Sequence, residues 1–560
     1  MEKAAVYHIS EHIFAYATKP DTLAVRLRMK AQDCTGVFIY YKNLYDHTDT
    51  FYKKPMQIIL QDDLCVLYEA KIQIPQKHFK YYFQIETSDG LFYYTSDGFL
   101  DFVSHTHCFY YPAIHEDEII SLPGWAEGSM IYQIMVDRYL NGDPSNDPSC
   151  VANVNEKPGR NTFYGGDFQG IIQKLDYIHD LGAEMIYLSP VFASPTYHKY
   201  DVKDYYEIEE SFGGKEMLAE LVRRAHEKGI RIILDAVFNH CSVQNDLFQD
   251  VIKNGKNSKY SSWFYIEDFP VDPDRCNYDT FAGAVPEMPR FNTANPEVIQ
   301  YLTDVALYWT KELCIDGWRL DVADEVSHTF WREFRRKIKS YDEDVLIIGE
   351  VWNHAGKWLL GDEFDTVTNY KYRGYLLDFA LGKMNADEFW NKNNANKMHY
   401  KTPVFNYLVI FPGTHDTIRA ATLLGDESIY RLVLAATLSM DGMPLIYYGD
   451  EIGLQGGEDP DNRRAMPWDE VDNKVEGIKE LAQFRKNSEV LKKGSLERLD
   501  CDGRVIAFKR FLGQMSLSVV LNFEPHDVQL SGKYSEILQG KGVITENGLC
   551  VSGRDFAIVR

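Results

Sequence analysis

Cysteine is scarce and unpatterned in this 560-residue chain: there are nine, none in a CxxC spacing. Neither a disulfide framework nor a cysteine zinc site is expected, and a reducing compartment fits. Positive charge is short as well, with Lys+Arg 59 against Asp+Glu 83 and a net charge of -24. Such a surface repels phosphate backbones and anionic membranes, which argues against nucleic acid and lipid as partners. No apolar run reaches bilayer-spanning length, and Met1–His8 has no hydrophobic core of a secretion signal, so a cytoplasmic protein is expected. The chain also lacks GxGxxG and GxxxxGK[ST], which removes the usual phosphate-cradling turns. No internal repeat or low-complexity segment is evident.

What is present is length, aromatics and a change of pattern along the chain. A chain of 560 residues is too long for one core and suggests about two to four domains. Tyr 37, Phe 31 and Trp 9 supply flat faces that pack cores and also stack on sugar rings. Residues 1–121 read as all-β, with runs such as Leu23–Met29 and Tyr81–Ile85 separated by turn-formers such as Thr87-Ser88-Asp89-Gly90. A β-sandwich is the expected solution. Leu122-Pro123-Gly124-Trp125 reads as a linker into 122–488, where β-runs alternate with helical stretches. The strand candidates are Met130–Val136, Met185–Leu188, Ile230–Val237, Gly317–Val322, Val345–Val351, Phe364–Asn369, Leu408–Pro412 and Pro444–Tyr448. Helical periodicity falls between them at Lys215–Lys228, Glu297–Glu312 and Thr329–Ser340. Eight strands alternating with helices predict an α/β fold of the (β/α)8, or TIM-barrel, type rather than an open doubly wound sheet. The segment 241–294 is too long for a βα loop and is taken as a subdomain inserted after strand three. β-like runs return in 489–560, a second and smaller β-domain.

Barrel enzymes carry their chemistry at the C-terminal ends of the strands. Here the apolar strands end in polar residues again and again. Strand three runs into Asp235-Ala236-Val237-Phe238-Asn239-His240, strand four carries Arg319 and Asp321, strand five delivers Glu350, and strand seven leads to Gly413-Thr414-His415-Asp416. On a strand, Arg319 and Asp321 point the same way, with Trp318 and Leu320 on the other face. A single such pair is ordinarily a structural ion pair. Four acid-bearing strand ends, two with His as well, exceed what packing explains, because a buried charge is costly. Arg319 is expected to keep Asp321 ionised, whereas Glu350 emerges from four aliphatic residues with no basic neighbour in sequence and is expected to hold a proton. One ionised and one protonated carboxyl is the pairing that glycoside hydrolysis needs. The carboxyl separation, and with it retention or inversion, does not follow from the sequence.

Asn141-Gly142-Asp143-Pro144-Ser145-Asn146-Asp147 gathers oxygen-bearing side chains that suit a hard cation such as Ca2+, although an Asn/Asp/Pro turn is the commoner meaning of such a run.

Taken in order, Asp235–His240, Gly317–Asp321, Gly349-Glu350 and His415-Asp416 resemble the four motifs of the α-amylase superfamily of glycoside hydrolases. The nearer resemblance is to its neopullulanase, cyclomaltodextrinase and maltogenic-amylase group, and it extends over nearly the whole chain. It implies retaining hydrolysis of α-1,4 glucosidic bonds, with α-1,6 bonds left open, in cyclodextrins, pullulan and maltooligosaccharides, accompanied by transglycosylation. By this resemblance Asp321 is the nucleophile, Glu350 the general acid/base and Asp416 the transition-state stabiliser. His198, Tyr200, His240, Arg319, Trp352, His415, Asp459 and Arg463 match substrate contacts. Asn141, Asp143, Asn146, Asp147, Gly165 and Asp167 match a structural calcium site. The resemblance further implies a homodimer in which the N-terminal domain of one chain narrows the cleft of the other.

Three positions depart from the group's pattern: Thr414 where Ser is usual, Met288-Pro289-Arg290-Phe291-Asn292 against Met-Pro-Lys-Leu-Asn, and Asp324-Glu325 where Asn-Glu is commoner. Asp324, just past Asp321, is a place where acceptor-side preference could be altered. Two other readings stand beside this one: an exo-acting α-glucosidase of the same superfamily, and a non-catalytic sugar-binding relative.

Overall fold

The computed structural model describes residues 1–560 apart from residue 284 and residues 472–474. Two compact units emerge. One comprises Met1–Ser121 together with His354–Asp362 and Asp387–Phe405, and the other comprises Leu122–Asn353, Glu363–Ala386 and Asn406–Arg560.

The first unit is built on two antiparallel sheets. One orders Ala15–Lys19, Thr22–Lys30, Cys65–Gln73 and Gln57–Gln61; the other runs through Tyr52–Pro55, Gly36–Asn43, Phe79–Thr87, Gly90–Thr95 and Gly98–Leu100. Alternation along the strands turns Leu23, Val25, Leu27, Ile39, Phe83 and Ile85 into a shared dry core. Arg26 is buried within this unit, and it donates to Glu69 Oε2 at 2.9 Å, Tyr400 O at 2.7 Å and Thr402 Oγ1 at 2.6 Å. The segment around residue 400, which the chain order places deep within the barrel region, is thereby tied to the β-unit.

In the second unit eight parallel strands form the expected barrel. They are Ile131–Ile134, Met185–Leu188, Arg231–Ala236, Gly317–Leu320, Leu346–Gly349, Thr366–Val367, Val409–Ile410 and Met443–Tyr447, here strands one to eight. Their hydrogen-bonded order is six, five, four, three, two, one, eight, seven, and a parallel bridge between Thr368 and Val409 joins the two ends. Strands six and seven are only two residues long, shorter than their sequence runs suggest. The helices fall at Gly214–Glu227, Pro296–Leu313 and His328–Tyr341, as the periodicity predicts. Pro296 opens its helix because the first turn needs no N–H there, and Asn295 caps it by accepting from Glu297 N at 2.8 Å.

Two glycines set how closely strands four and five approach their neighbours. A Cβ on Gly317 would meet Leu346 O at 2.7 Å, and one on Gly349 would meet the Phe364 ring at 2.4 Å. Their bareness lets strands four and five pack against neighbours that any side chain would push away. Between strand three and helix Pro296–Leu313 lies the inserted segment, with helix Asp246–Asn254 and the hairpin Thr280–Phe281/Val285–Pro289. It is stitched to the end of strand three by the His240–Arg290 bridge. From Ser495 onward a five-stranded and a three-stranded sheet form the small C-terminal β-domain.

Candidate active site

The strand ends converge on Arg319. Its Nη1 donates to Asp235 Oδ1 and Oδ2, both at 3.0 Å, and to Asp321 Oδ1 at 2.7 Å, while Nη2 lies 2.9 Å from Glu350 Oε2. Trp318 points the other way and is sealed in the helix layer, its Nε1 on Thr310 Oγ1 at 2.9 Å. The period-two argument for strand four therefore holds in space.

One expectation about charge needs correcting, and the other acid gains a neighbour that the chain order hides. Glu350 has no basic neighbour in sequence, yet Arg319 from the adjacent strand touches it; parallel pairing brings together what the chain keeps 31 residues apart. Nor does Arg319 hold Asp321 low. Burial pushes the Asp321 carboxyl well above its usual range, with Arg319 opposing and the Glu350, Asp235 and Asp416 carboxylates adding to the rise. Asp235 is likewise raised by burial to about 6, against the pull of Arg319 and of hydroxyls donated by Tyr187 at 2.6 Å and Tyr200 at 3.0 Å. Three acids share one guanidinium, so the pocket favours retaining a proton.

Glu350 is encircled by donors. Besides Arg319, the backbone N–H of Val322 reaches Oε2 at 2.9 Å, and Oε1 faces Trp352 Nε1 at 3.2 Å and the Tyr370 hydroxyl at 3.4 Å. Val322 adopts φ +46°, a left-handed conformation rare for a β-branched residue. That turn aims its N–H back at Glu350. Trp352 stacks flat on Tyr370, ring centres 3.9 Å apart. Tyr370 also meets Thr414 Oγ1 at 3.5 Å, so the Thr-for-Ser departure lies directly behind the acid.

On the other side of the mouth, His415 is fixed as one tautomer. The Gln133 amide donates to its Nδ1 at 2.6 Å, which leaves the proton on Nε2, facing Asp416 Oδ2 at 3.1 Å and the Tyr200 hydroxyl. Asp416 opens to solvent and is held by Arg463 Nη2 at 3.2 Å; Arg463 also binds Asp459 at 2.9 Å, Tyr197 OH at 3.1 Å and His415 O at 2.9 Å. His198 accepts from Tyr200 N through Nδ1 at 3.1 Å, and His240 Nε2 lies 3.1 Å from Tyr200 O. Burial lowers His198 to about 3, aided by Arg463, lowers His240 to about 4, and takes His415 well below its usual value. All three are neutral at pH 7, polar contacts rather than charges.

Every sequence-predicted catalytic and substrate residue thus lies around one mouth. Asp235, Gln133, Tyr187, Tyr197 and Tyr370 join them without having been assigned a role from sequence. Gln133 had a signal, a lone amide within the apolar run Ile131-Tyr132-Gln133-Ile134, and so had Asp235 at its strand end. Tyr370 had none. Two of the departures also meet: Arg290 Nη2 donates to Glu325 O at 3.4 Å and lies 3.7 Å from its carboxylate.

The calcium candidates divide into two groups. Asn141 Oδ1 and Asn146 Oδ1 are buried without a hydrogen-bond partner, and a Cβ on Gly165 would sit 2.5 Å from Asp147 Oδ1 and 2.6 Å from Asn141 Nδ2. Asn141, Asp147 and Gly165 therefore converge around a small polar cradle. Asp167 caps a helix and accepts from Gly142 N, Asp143 N and Gly170 N, and Asp143 accepts from Ser145. Among the described residues no three His, Cys, Asp or Glu side chains are arranged to hold a metal ion. The side-chain oxygens here are the amides of Asn141 and Asn146 as well as the Asp147 carboxylate.

An eight-stranded barrel whose mouth gathers carboxyls around one guanidinium is the layout of a glycoside hydrolase. Residues 133–493 match the family model described as alpha amylase, catalytic domain, and residues 1–115 match alpha amylase, N-terminal ig-like domain. The chain is 42% identical over 531 residues to a cyclomaltodextrinase of Thermoanaerobacter pseudethanolicus (strain ATCC 33223 / 39E), covering 93% of this chain and 92% of that one. It is 40% identical to neopullulanase 2 of Thermoactinomyces vulgaris, covering 92% and 90%. A solved cyclomaltodextrinase structure superposes over 100% of both chains with a TM-score of 0.92 at 34% identity. The chain belongs to the alpha-amylase family of glycoside hydrolases. Among the described residues no helix is long and apolar enough to cross a membrane.

Proposed function

We propose that the protein is a retaining α-glucan hydrolase that opens cyclodextrins and cleaves pullulan and maltooligosaccharides at α-1,4 bonds, with α-1,6 bonds a second target. The observation that carries this is the triple carboxyl contact of Arg319, which gathers nucleophile and acid/base around one cation. Asp321 Oδ1 is tethered by Arg319, leaving its other oxygen for the anomeric carbon. As the C1–O bond breaks and the ionised Asp321 forms a C1–Oδ2 bond, the one proton that the crowded acids retain passes from Glu350 to the departing oxygen. In the second step a water gives a proton to Glu350, attacks C1 and releases Asp321. A sugar hydroxyl in place of that water gives transglycosylation. Asp416, held between Arg463 and His415, faces the sugar as charge builds at C1. Likeness over the full chain, the N-terminal domain included, weighs against an exo-acting α-glucosidase and against a non-catalytic relative. Product analysis on β-cyclodextrin, pullulan, maltotriose and starch side by side tests the reading. Fast ring opening with slower starch hydrolysis is expected, and glucose released one unit at a time from chain ends alone would overturn it.

Calcium fits the cradle at Asn141, Asn146, Asp147 and Gly165, with Asp143 and Asp167 shaping the loop; its role there is structural. Metal analysis and chelation test it: a melting temperature unmoved by chelator, with no metal found, would sink the assignment. A cytoplasmic homodimer through the N-terminal unit completes the reading. It is supported by the exposed apolar side chains Tyr52, Ile58 and Leu64 of that unit and by a relative named intracellular maltogenic amylase. Light scattering that gives a monomer at working concentration would contradict the dimer.

A further inference from the structure

A second aromatic cavity lies outside the mouth and shares none of its residues. It is a groove of about 560 Å3 between segment 259–263 of the insert and the first turns of helix Pro296–Leu313. That volume falls within the roughly 300–1,000 Å3 that small-molecule sites occupy. Trp263 forms the floor, buried and fixed by its Nε1 on Glu297 Oε2 at 2.8 Å. Tyr260 stands edge-on against the indole at 5.0 Å and Tyr301 tilts against it at 5.5 Å, both half-buried. Aromatic contact continues from Tyr301 to Tyr206 at 6.1 Å and on to Tyr308 at 5.4 Å. The groove is also anchored. Asn295, which caps the helix, donates from Nδ2 to Ser262 O at 3.0 Å, and Asn292 N donates to Trp263 O at 2.6 Å. One residue back, Phe291 N donates to Asn239 O at 3.0 Å, which ties the floor to the end of strand three.

The rim is polar and of mixed sign. Glu297 keeps Oε1 as an acceptor, and Gln300, whose Nε2 donates to Asp304 Oδ2 at 2.6 Å, keeps its own Oε1. Lys259 supplies an ammonium donor. Rings below and donors and acceptors around the edge suit a pyranose, which has an apolar C–H face and hydroxyls along its rim. The net charge of -24 opposes an anionic ligand and leaves a neutral sugar unopposed. We propose that this groove is a second, non-catalytic binding site for short α-glucans, separate from the mouth. The choice of sugar rests on the α-glucan reading of the mouth given above.

The probe is maltotetraose with sulfur in place of its glycosidic oxygens, which resists cleavage, titrated calorimetrically into the intact protein. Two sugars per chain are expected. Tyr260→Ala should weaken one of them by about tenfold or more and leave the other unmoved. Gln300→Ala, at an exposed helix position that keeps the question answerable if Tyr260→Ala unfolds, should weaken the same sugar by about three- to tenfold. Asp459→Ala should weaken only the other, at the mouth. Two sugars that both survive Tyr260→Ala and Gln300→Ala, or a single sugar that only Asp459→Ala weakens, overturn the groove and leave the reading of the mouth intact. A single sugar that only the groove variants weaken overturns the reading of the mouth instead, and no binding at all overturns both. If light scattering shows a self-association that Tyr260→Ala abolishes, with sugar binding unchanged, the groove is covered by a second copy of the chain and the inference fails.

Discussion

Arg26 and Arg319 are both sealed from water, 0% and 3% exposed, and both lie against carboxylates at hydrogen-bond distance. Arg26 meets a single acid, Glu69, and uses its remaining N–H groups on Tyr400 O and Thr402 Oγ1. Arg319 meets three acids at once. The consequences run in opposite directions. Burial alone would raise Glu69, but Arg26 and the hydroxyls of Thr402 and Tyr16 outweigh it and hold the carboxyl below its ordinary value. At Arg319 one cation cannot satisfy three neighbours, so burial prevails and Asp321 and Asp235 rise. Charge balance, more than depth, separates a pair that holds a fold together from a cluster able to trade a proton.

The severest test acts on the acid-rich side. Asp321→Asn and Glu350→Gln keep shape and remove the groups proposed to attack and protonate, so kcat on β-cyclodextrin should drop by about 10³-fold or more. Their melting temperatures should stay within a few degrees of the parent, since neither group is needed for packing. Near-normal turnover in either folded variant would mean that the cluster at Arg319 is no more reactive than the pair at Arg26.

The second test reverses the roles. Arg26→Ala strands a buried carboxylate and should cost about 3–5 kcal/mol of stability, read from denaturant unfolding, while kcat per folded molecule is preserved. Replacing both partners, Arg26→Met with Glu69→Leu, should recover most of that loss, because apolar groups of similar volume need no charge partner. If Arg26→Ala left stability unchanged, the pair would not be the structural anchor that its polar contacts with Tyr16, Tyr400 and Thr402 describe.

How much of this contrast could be read from the chain alone depends on how far apart the partners lie. The barrel was legible because its strands are apolar runs separated by helical periodicity, and the Arg319–Asp321 contact because it spans two residues of one strand. The Arg319–Glu350 contact was not, since it requires knowing that strands four and five pair in register. Arg26 meets Thr402 across 376 positions, and nothing in either neighbourhood announces the other. Trp352 was visible as an aromatic past a strand end, but its indole N–H on Glu350 depends on a Tyr370 platform that carries no sequence mark. Motif spacing carried the site residues; electrostatic partnership came only with the fold.

The gentlest test compares the two clusters by pH. Asp235 is raised to about 6 in the fold, from an ordinary carboxyl value near 3.8. The folded state therefore holds a proton that the unfolded chain has released. Its contribution is fully present below about pH 4 and is lost as pH rises through about 6. Glu69 is lowered, so its contribution is present above its ordinary value and is lost as pH falls through the folded one. Asp235→Asn should accordingly flatten the stability profile between about pH 4 and 6. Glu69→Gln should flatten it only on the acid side of that window. Unfolding curves at closely spaced pH values distinguish the two; if both variants flattened the same interval, the number of acids around each guanidinium would not be what sets the clusters apart.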